Sequence, residues 1–406
     1  MKISLLSIGD ELLSGFTTNT NASWIGRNLS NMGCSICEQI TVKDNKNSIL
    51  DGLKNLTKKK VDFIILTGGL GSTDDDITRK TLFSFVSSDE IFDEAYWEEL
   101  KKRFKGKKQI PISMKNQAIS PSIGKLIPNS IGSARGYQFK FGEIEIISLP
   151  GVPSEMKQMM KQTIIPLISN RISVPKITKI IRTIGISESS ISQKINSITE
   201  NYKNCRIGYY PSPKGVDLRI SGYFIKDIAE FISKIKKTIN SFVYSEDYQT
   251  IEDVIVSLLK QKEKTLVTAE SCTGGLISNR ITNISGSSEI FKGSVISYSN
   301  ESKIKLLNVD KEVIDKFGAV SEQVASLMSK NALKLFSSDY ALSVTGIAGP
   351  RGGTKDKSVG LVYIGLSHKL KTEVKKFHFG KDRKTNKIKT CQASLNMLRS
   401  ALINEK

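Results

Sequence analysis

Histidine is almost missing from this 406-residue chain: His368 and His378 are the only two. Catalysis by a Ser/His or Cys/His pair is therefore disfavoured. His378 alternates with Phe377 and Phe379, a pattern in which a packed or half-exposed strand residue is expected. The Gly-x-Ser-x-Gly signature of a nucleophile elbow is also absent. Cysteine is sparse and odd in number, five in all, which fits a reducing compartment better than a disulfide framework. The one Cys-x-x-Cys, Cys34-Ser35-Ile36-Cys37, lacks a second Cys or His pair to complete a zinc site. No run approaches the roughly 18 apolar residues of a membrane span. Asp10 also arrives too early for a secretory leader. A cytoplasmic protein without a membrane partner is expected.

Acidic residues are in deficit, 40 against 60 Lys plus Arg, a formal charge of +20. Such an excess attracts polyanions or acidic metabolites. It is spread thinly, over 58–60, 101–103 and 234–237, with few aromatics between to stack bases. A solvated basic surface is expected rather than a nucleic-acid face. With 39% hydrophobic and 25% charged residues the chain is globular, and its length suits two or three domains.

Residues 1–170 alternate strand-like runs (3–8, 35–42, 61–67, 144–149) with helical patterns such as 22–32. This predicts an α/β unit, a parallel sheet between helices. Residues 171–249 read as a small α+β connector. It has a strand near 178–184, a helix near 187–198, a Lys-rich helix, and a possible turn at Gly208-Tyr209-Tyr210-Pro211. Residues 250–406 return to α/β logic with a helix at 251–260, a strand at 265–269, a glycine-rich loop and a helix at 276–282.

That loop, Glu270-Ser271-Cys272-Thr273-Gly274-Gly275, sets Ser271 at a strand end beside a helix start, where free amides favour developing negative charge. Further on, Tyr298 ends a strand and Lys303 falls on the first turn of a helix that begins near Asn300. Hydroxyl, phenol and amine converge in this reading. Serine needs a base to be nucleophilic, and a desolvated lysine supplies one without histidine. The loop containing Thr345, Gly346 and Gly349 follows another apolar strand. It reads as a backbone cradle for a phosphate or ribose, or as a plain turn. Arg383 is a candidate phosphate clamp or a surface arginine.

In the first unit Thr67-Gly68-Gly69-Leu70-Gly71 leads into Ser72-Thr73-Asp74-Asp75-Asp76. Amides of this loop can hold a phosphate while carboxylates such as Asp75 and Asp76, joined at the same edge by Asp44, hold a hard cation such as magnesium. Equally, Asp74 to Asp76 can cap the helix that follows. Glu155, after Pro150-Gly151-Val152-Pro153, is a further acid or a helix start.

These residues resemble the CinA family, competence/damage-inducible protein A, over essentially the whole length. The resemblance is carried by residues 67–78 with Gly9-Asp10-Glu11, by 268–275 and by 343–353. It implies a molybdopterin-binding-like three-layer domain at 1–170, the connector, and a deamidase domain at 250–406. The deamidase would hydrolyse nicotinamide mononucleotide to nicotinate mononucleotide and ammonia without a cofactor, in pyridine nucleotide salvage. The family's serine, tyrosine and lysine fall on Ser271, Tyr298 and Lys303. In the implied mechanism Tyr298 orients the amine or the substrate, and amides near Thr273, Gly274 and Gly275 hold the oxyanion. The arginine of the family's Gly-Asp-Arg loop falls on Arg383, with Lys381 in place of the glycine. For the first domain the resemblance implies metal-dependent ADP-ribose pyrophosphatase activity at Asp44 and Asp76, with Ser72 where the family has proline. It also implies a homodimer. The alternative from another class is a non-catalytic pterin-binding or DNA uptake and repair accessory protein.

Overall fold

Apolar residues that alternate between two buried faces build the first sheet. The computed structural model describes residues 1–73, 76–104, 110–172, 176–369 and 371–405. The chain divides into two units, Met1–Thr178 and Lys179–Lys406. In the first, β1 (Lys2–Ile8), β2 (Ser35–Val42), β3 (Phe63–Thr67), β6 (Lys125–Ile127), β7 (Gly136–Phe141) and β8 (Ile144–Leu149) form one sheet in the order β2-β1-β3-β8-β7-β6. The short β4 (Glu90–Phe92) and β5 (Ile119–Pro121) pair separately. Ile3, Leu5, Phe63, Ile65 and Ile147 enter one apolar cluster, and Leu6, Ile8, Ile64, Leu66 and Ile146 enter the other. Such a strand, buried on both sides, needs helices on both faces.

The sheet is not wholly parallel as expected. β2, β1, β3 and β8 run parallel, but β7 and β6 are antiparallel. Phe141 pairs with Ile144, and Gly142 takes φ 59° in the two-residue turn between them. A link that short can only join antiparallel strands.

The second unit opens with β9 (Ile177–Thr183), β10 (Arg206–Ser212), β11 (Gly215–Gly222) and β12 (Val243–Ser245), ordered β10-β11-β9-β12. Helices Glu188–Asn201 and Ile225–Ile239 belong to this layer, the first capped by the Ser187 hydroxyl. Gly208 to Pro211, expected as a turn, instead lie within β10. β10 is an edge strand, where the missing N–H of Pro211 need not break a ladder.

The remaining sheet comprises β13 (Leu266–Glu270), β14 (Phe291–Ile296), β15 (Tyr340–Gly346), β16 (Leu361–His368) and β17 (Lys371–His378). Its order is β14-β13-β15-β16-β17, with the first three strands parallel and the last two antiparallel additions. Helices Ile251–Gln261, Leu276–Thr282 and Arg383–Asn404 place Ile255, Ile277 and Leu395 in one cluster. Helices Asn300–Leu307, Lys311–Phe317 and Glu322–Leu335 place Leu307, Ile314 and Met328 in the other. His378 is exposed, with Nε2 2.7 Å from the Ser358 hydroxyl, and His368 stacks on Tyr340. All five cysteines are free. Among the described residues no helix is long and apolar enough to cross a membrane.

One buried ion pair ties the first face together. Arg280 meets Glu252 through Nε and donates from Nη2 to Gln392 Oε1 at 2.8 Å, joining three helices. Arg280→Met strands the Glu252 carboxylate and is expected to cost about 3–5 kcal/mol in urea unfolding of this unit. Adding Glu252→Leu should restore much of the loss.

Candidate active site

In an open α/β sheet, ligands bind beyond the carboxyl ends of parallel strands, where neighbouring strands lead away in opposite directions. β13 lies between β14 and β15, so its carboxyl end is such a point. The chain there is held by Glu270, fully buried, whose carboxylate accepts from the amides of Ile277 (3.1 Å) and Ser278 (2.8 Å) and from the Ser278 hydroxyl. The strand's last residue thus caps the next helix and bends residues 271–275 into a tight turn. Gly274 (φ 60°) and Gly275 (φ 90°) take left-handed conformations that allow it. Ser271 is fixed by its amide on Val344 O (3.1 Å) and by its carbonyl, which accepts from Gly274 N (3.1 Å).

Lys303 comes to the same point. Ser299 and Ser302 form a capping box at the start of helix Asn300–Leu307, and this fixes Lys303 on the first turn. Its side chain is buried, 1% exposed. Nζ lies 3.0 Å from Ser271 Oγ, 2.8 Å from the Ser297 carbonyl and 3.4 Å from that of Tyr298. Among the described residues no carboxylate neutralises it. Burial pushes the amine's pKa below the ordinary lysine range. The adjacent Cys272 thiol is pushed up to about 12 by burial, which leaves it protonated and inert.

A cavity of about 220 Å³ opens over this pair, lined by Tyr298, Thr345, Gly346 and Arg383 among others. Arg383 donates to Gly349 O (2.9 Å) and to the Tyr298 hydroxyl (2.8 Å). The Tyr298 phenol therefore meets the guanidinium, while the Lys303 amine meets the Tyr298 backbone carbonyl. The Thr345 hydroxyl donates to Ala319 O at 2.8 Å, so it anchors the opposite wall. Gly274 uses its amide within the turn. One group had no signal in the sequence: Ser297, whose carbonyl faces the amine.

The first unit has a cavity of about 300 Å³ at the matching place, between the carboxyl ends of β1 and β3. Asp44, Asp76, Glu11 and Gly69 line it. Gly69 takes φ 63°, and a Cβ there would stand 2.1 Å from Thr78 Oγ1, so a glycine is favoured; one on Gly71 would stand 2.2 Å from the Asp76 carboxylate, which would have to move aside. Asp76 accepts from the Thr73 amide at 3.2 Å and from its hydroxyl. It makes no cap on helix Thr78–Phe85, whose N-cap position is Ile77 without a side-chain bond. Asp75 lies outside the described residues. Among the described residues no cluster of three His, Cys, Asp or Glu side chains is placed to cage a metal. Asp44, Asp76 and Glu11 are the carboxylates on this cavity that could face a hard cation, which takes oxygen ligands and keeps waters. Glu155 sits apart, accepting from Asn129 Nδ2 at 2.6 Å.

Three domain types run along the chain. Residues 4–170 match the probable molybdopterin binding domain, 178–245 the damage-inducible protein CinA KH domain, and 248–402 the CinA C-terminal domain. A CinA-like protein of Prochlorococcus marinus (strain AS9601) is 38% identical over 99% of this chain and 98% of its own. One from Kosmotoga olearia is 36% identical over 99% of each. A crystal structure of the competence/damage inducible protein CihA from Agrobacterium tumefaciens is 35% identical, covering 38% of this chain and 94% of that one, with a TM-score of 0.37. The chain belongs to the CinA family, with a molybdopterin-binding-like domain, a KH-type connector and a CinA C-terminal domain.

The buried Lys303 amine makes stability depend on pH. Between its lowered pKa and the ordinary lysine value the unfolded chain binds the extra proton, so stability rises with pH in that window and the gain disappears below it. The urea midpoint of the wild type should therefore rise relative to that of Lys303→Met as pH climbs toward the ordinary lysine value.

Proposed function

We propose that the C-terminal domain is an amidohydrolase that converts nicotinamide mononucleotide to nicotinate mononucleotide and ammonia. The observation that carries this reading is the buried Lys303 amine 3.0 Å from Ser271 Oγ, with no histidine at the site. A neutral amine has two hydrogens and one lone pair. Carbonyls of Ser297 and Tyr298 lie at 2.8 and 3.4 Å to accept the hydrogens, which leaves the lone pair for the Ser271 hydroxyl proton. The serine oxygen then bonds to the carboxamide carbon. Ser271 needs such help because an unassisted hydroxyl is a poor nucleophile.

The developing oxyanion needs donors that are already in place. With the Gly274 amide held by Ser271 O, the Cys272, Thr273 and Gly275 amides are the candidate donors of this turn, and each well-placed one is worth about 3 kcal/mol. Lys303 returns its proton to the departing nitrogen, ammonia leaves, and water attacks the ester with Lys303 again as base. Release of nicotinate mononucleotide restores the hydroxyl and the amine. Arg383, with Tyr298 bound to it, offers positive charge at the cavity wall for the substrate's phosphate.

For the first domain the reading that Asp44 and Asp76 favour is metal-dependent hydrolysis of ADP-ribose. These two carboxylates would hold a magnesium ion, which would supply charge neutralisation at the diphosphate, and the amides of the Gly69–Gly71 loop would bind phosphate oxygens.

Ser271→Ala and Lys303→Met should each lower deamidation by at least about 10³-fold with the fold retained. Wild-type kcat/KM should rise with pH through one ionisation below the ordinary lysine value, since the neutral amine is the active form. Asp76→Ala should abolish chelator-sensitive AMP release from ADP-ribose and leave deamidation intact. AMP release that survives both chelator and substitution would contradict the second reading.

A further inference from the structure

The connector has a sheet face that neither of its own helices covers. Its elements run strand, helix, strand, strand, helix, strand, and the order β10-β11-β9-β12 puts β10 at one edge. Both helices lie on one side. Tyr209 and Leu218 are register partners, Tyr209 reaches Ser192 of the first helix, and a Cβ on Gly222 would meet Ile228 of the second. Side chains alternate across a strand, so Arg206, Gly208 and Tyr210 of β10 share the other side with Asp217, Arg219 and Ser221 of β11. This side combines aromatic rings with uncompensated cations. The Arg219 guanidinium lies over the Tyr210 ring, 4.3 Å from its centroid, and Tyr210 is 48% exposed. Gly208 clears the space for that ring: a Cβ there would stand 3.0 Å from Tyr210 Cε2, and a glycine inside a strand marks such a close approach. Asp217, the one acid on the two strands, is taken by Arg182 at 3.1 Å. Among the described residues neither Arg206 nor Arg219 has a carboxylate partner, and Arg219 Nε has no hydrogen-bond partner. Tyr223, 57% exposed, follows β11 and continues the alternation of Arg219 and Ser221. Rings toward both ends with arginines between them suit a polyanion that also carries flat bases, and four-stranded sheets stack bases on open faces of this kind. We infer that this face of the connector binds single-stranded nucleic acid, with bases on Tyr210 and Tyr223 and phosphates on Arg206 and Arg219. The contacts are to base faces and phosphates, so the site reads neither base sequence nor sugar. KH domains clamp a nucleic-acid backbone through a Gly-x-x-Gly loop, which residues 178–245 lack, and the lysines of 234–237 belong to the helix on the far side. A cation–π pair on a solvated sheet accounts for Tyr210 and Arg219 but leaves Tyr223 and the unpaired Arg206 unexplained.

The test is fluorescence anisotropy of the full chain with labelled oligo(dT), oligo(U) and a DNA duplex of the same length. Both single strands should bind alike, and more tightly than the duplex at the same salt concentration. Tyr210→Ala should weaken both about tenfold with little change in salt dependence, and Tyr210→Phe should stay near wild type. Tyr210→Leu, which keeps apolar cover over Gly208 without a π face, should lose as much as Tyr210→Ala, so that lost stacking is separated from lost fold. Arg206→Met and Arg219→Met should each reduce the slope of log affinity against log salt by about 0.7, whereas Lys237→Met on the helix side leaves the slope unchanged. No binding of either strand, a duplex bound as tightly as the single strands, wild-type affinity in Tyr210→Leu, or a loss in Lys237→Met equal to that in Arg219→Met would overturn the assignment.

Discussion

A lysine amine removed from water and set against a serine hydroxyl is the constraint around which the C-terminal domain is arranged. Charge on an amine so placed is costly unless a carboxylate neutralises it, and here the partners are two carbonyls and Ser271. The fold accepts that cost because each contact is positioned by independent local structure. The capping box at Ser299 fixes the turn that bears Lys303. Glu270 fixes the turn that bears Ser271 by capping the next helix with a carboxylate of its own. β13 and its parallel neighbours bring both to one edge.

Glu270 and Lys303 make opposite use of burial. The carboxylate is saturated by two amides and a hydroxyl, so burial does not deprive it of partners and its role is structural. The amine has weaker acceptors and is pushed toward neutrality. Two buried ionisable groups at one edge of the sheet thus serve different ends: the carboxylate holds the turn, and the amine faces the Ser271 hydroxyl. Arg383 extends the arrangement outward, joining the Tyr298 phenol to the loop at Gly349 and placing positive charge at the rim of the cavity.

Local chemistry made much of this legible in advance. Apolar runs marked β1, β3, β8, β13 and β15 because strands buried on both faces show few polar interruptions. Ser271, Tyr298 and Lys303 stood out because each follows a strand or opens a helix. What the sequence hid was nonlocal. That β7 runs against β8, and β17 against β16, depended on turns at Gly142 and Lys369, easily passed over in a sequence pattern. The partner of the Tyr298 phenol lies 85 residues away, so spacing alone pointed it toward the amine. Glu270 read only as the first residue of a glycine-rich loop, because its helix cap needs the turn that folding forms.

The most direct test of the serine and lysine account is to look for the bond it requires. Wild-type protein mixed with nicotinamide mononucleotide, quenched in acid within the first turnovers and digested for mass spectrometry, should show the peptide containing Ser271 heavier by the nicotinate mononucleotide acyl group. Lys303→Met should show no such adduct. Rapid ammonia release with an unmodified Ser271 peptide, together with full turnover by Ser271→Ala, would contradict the account.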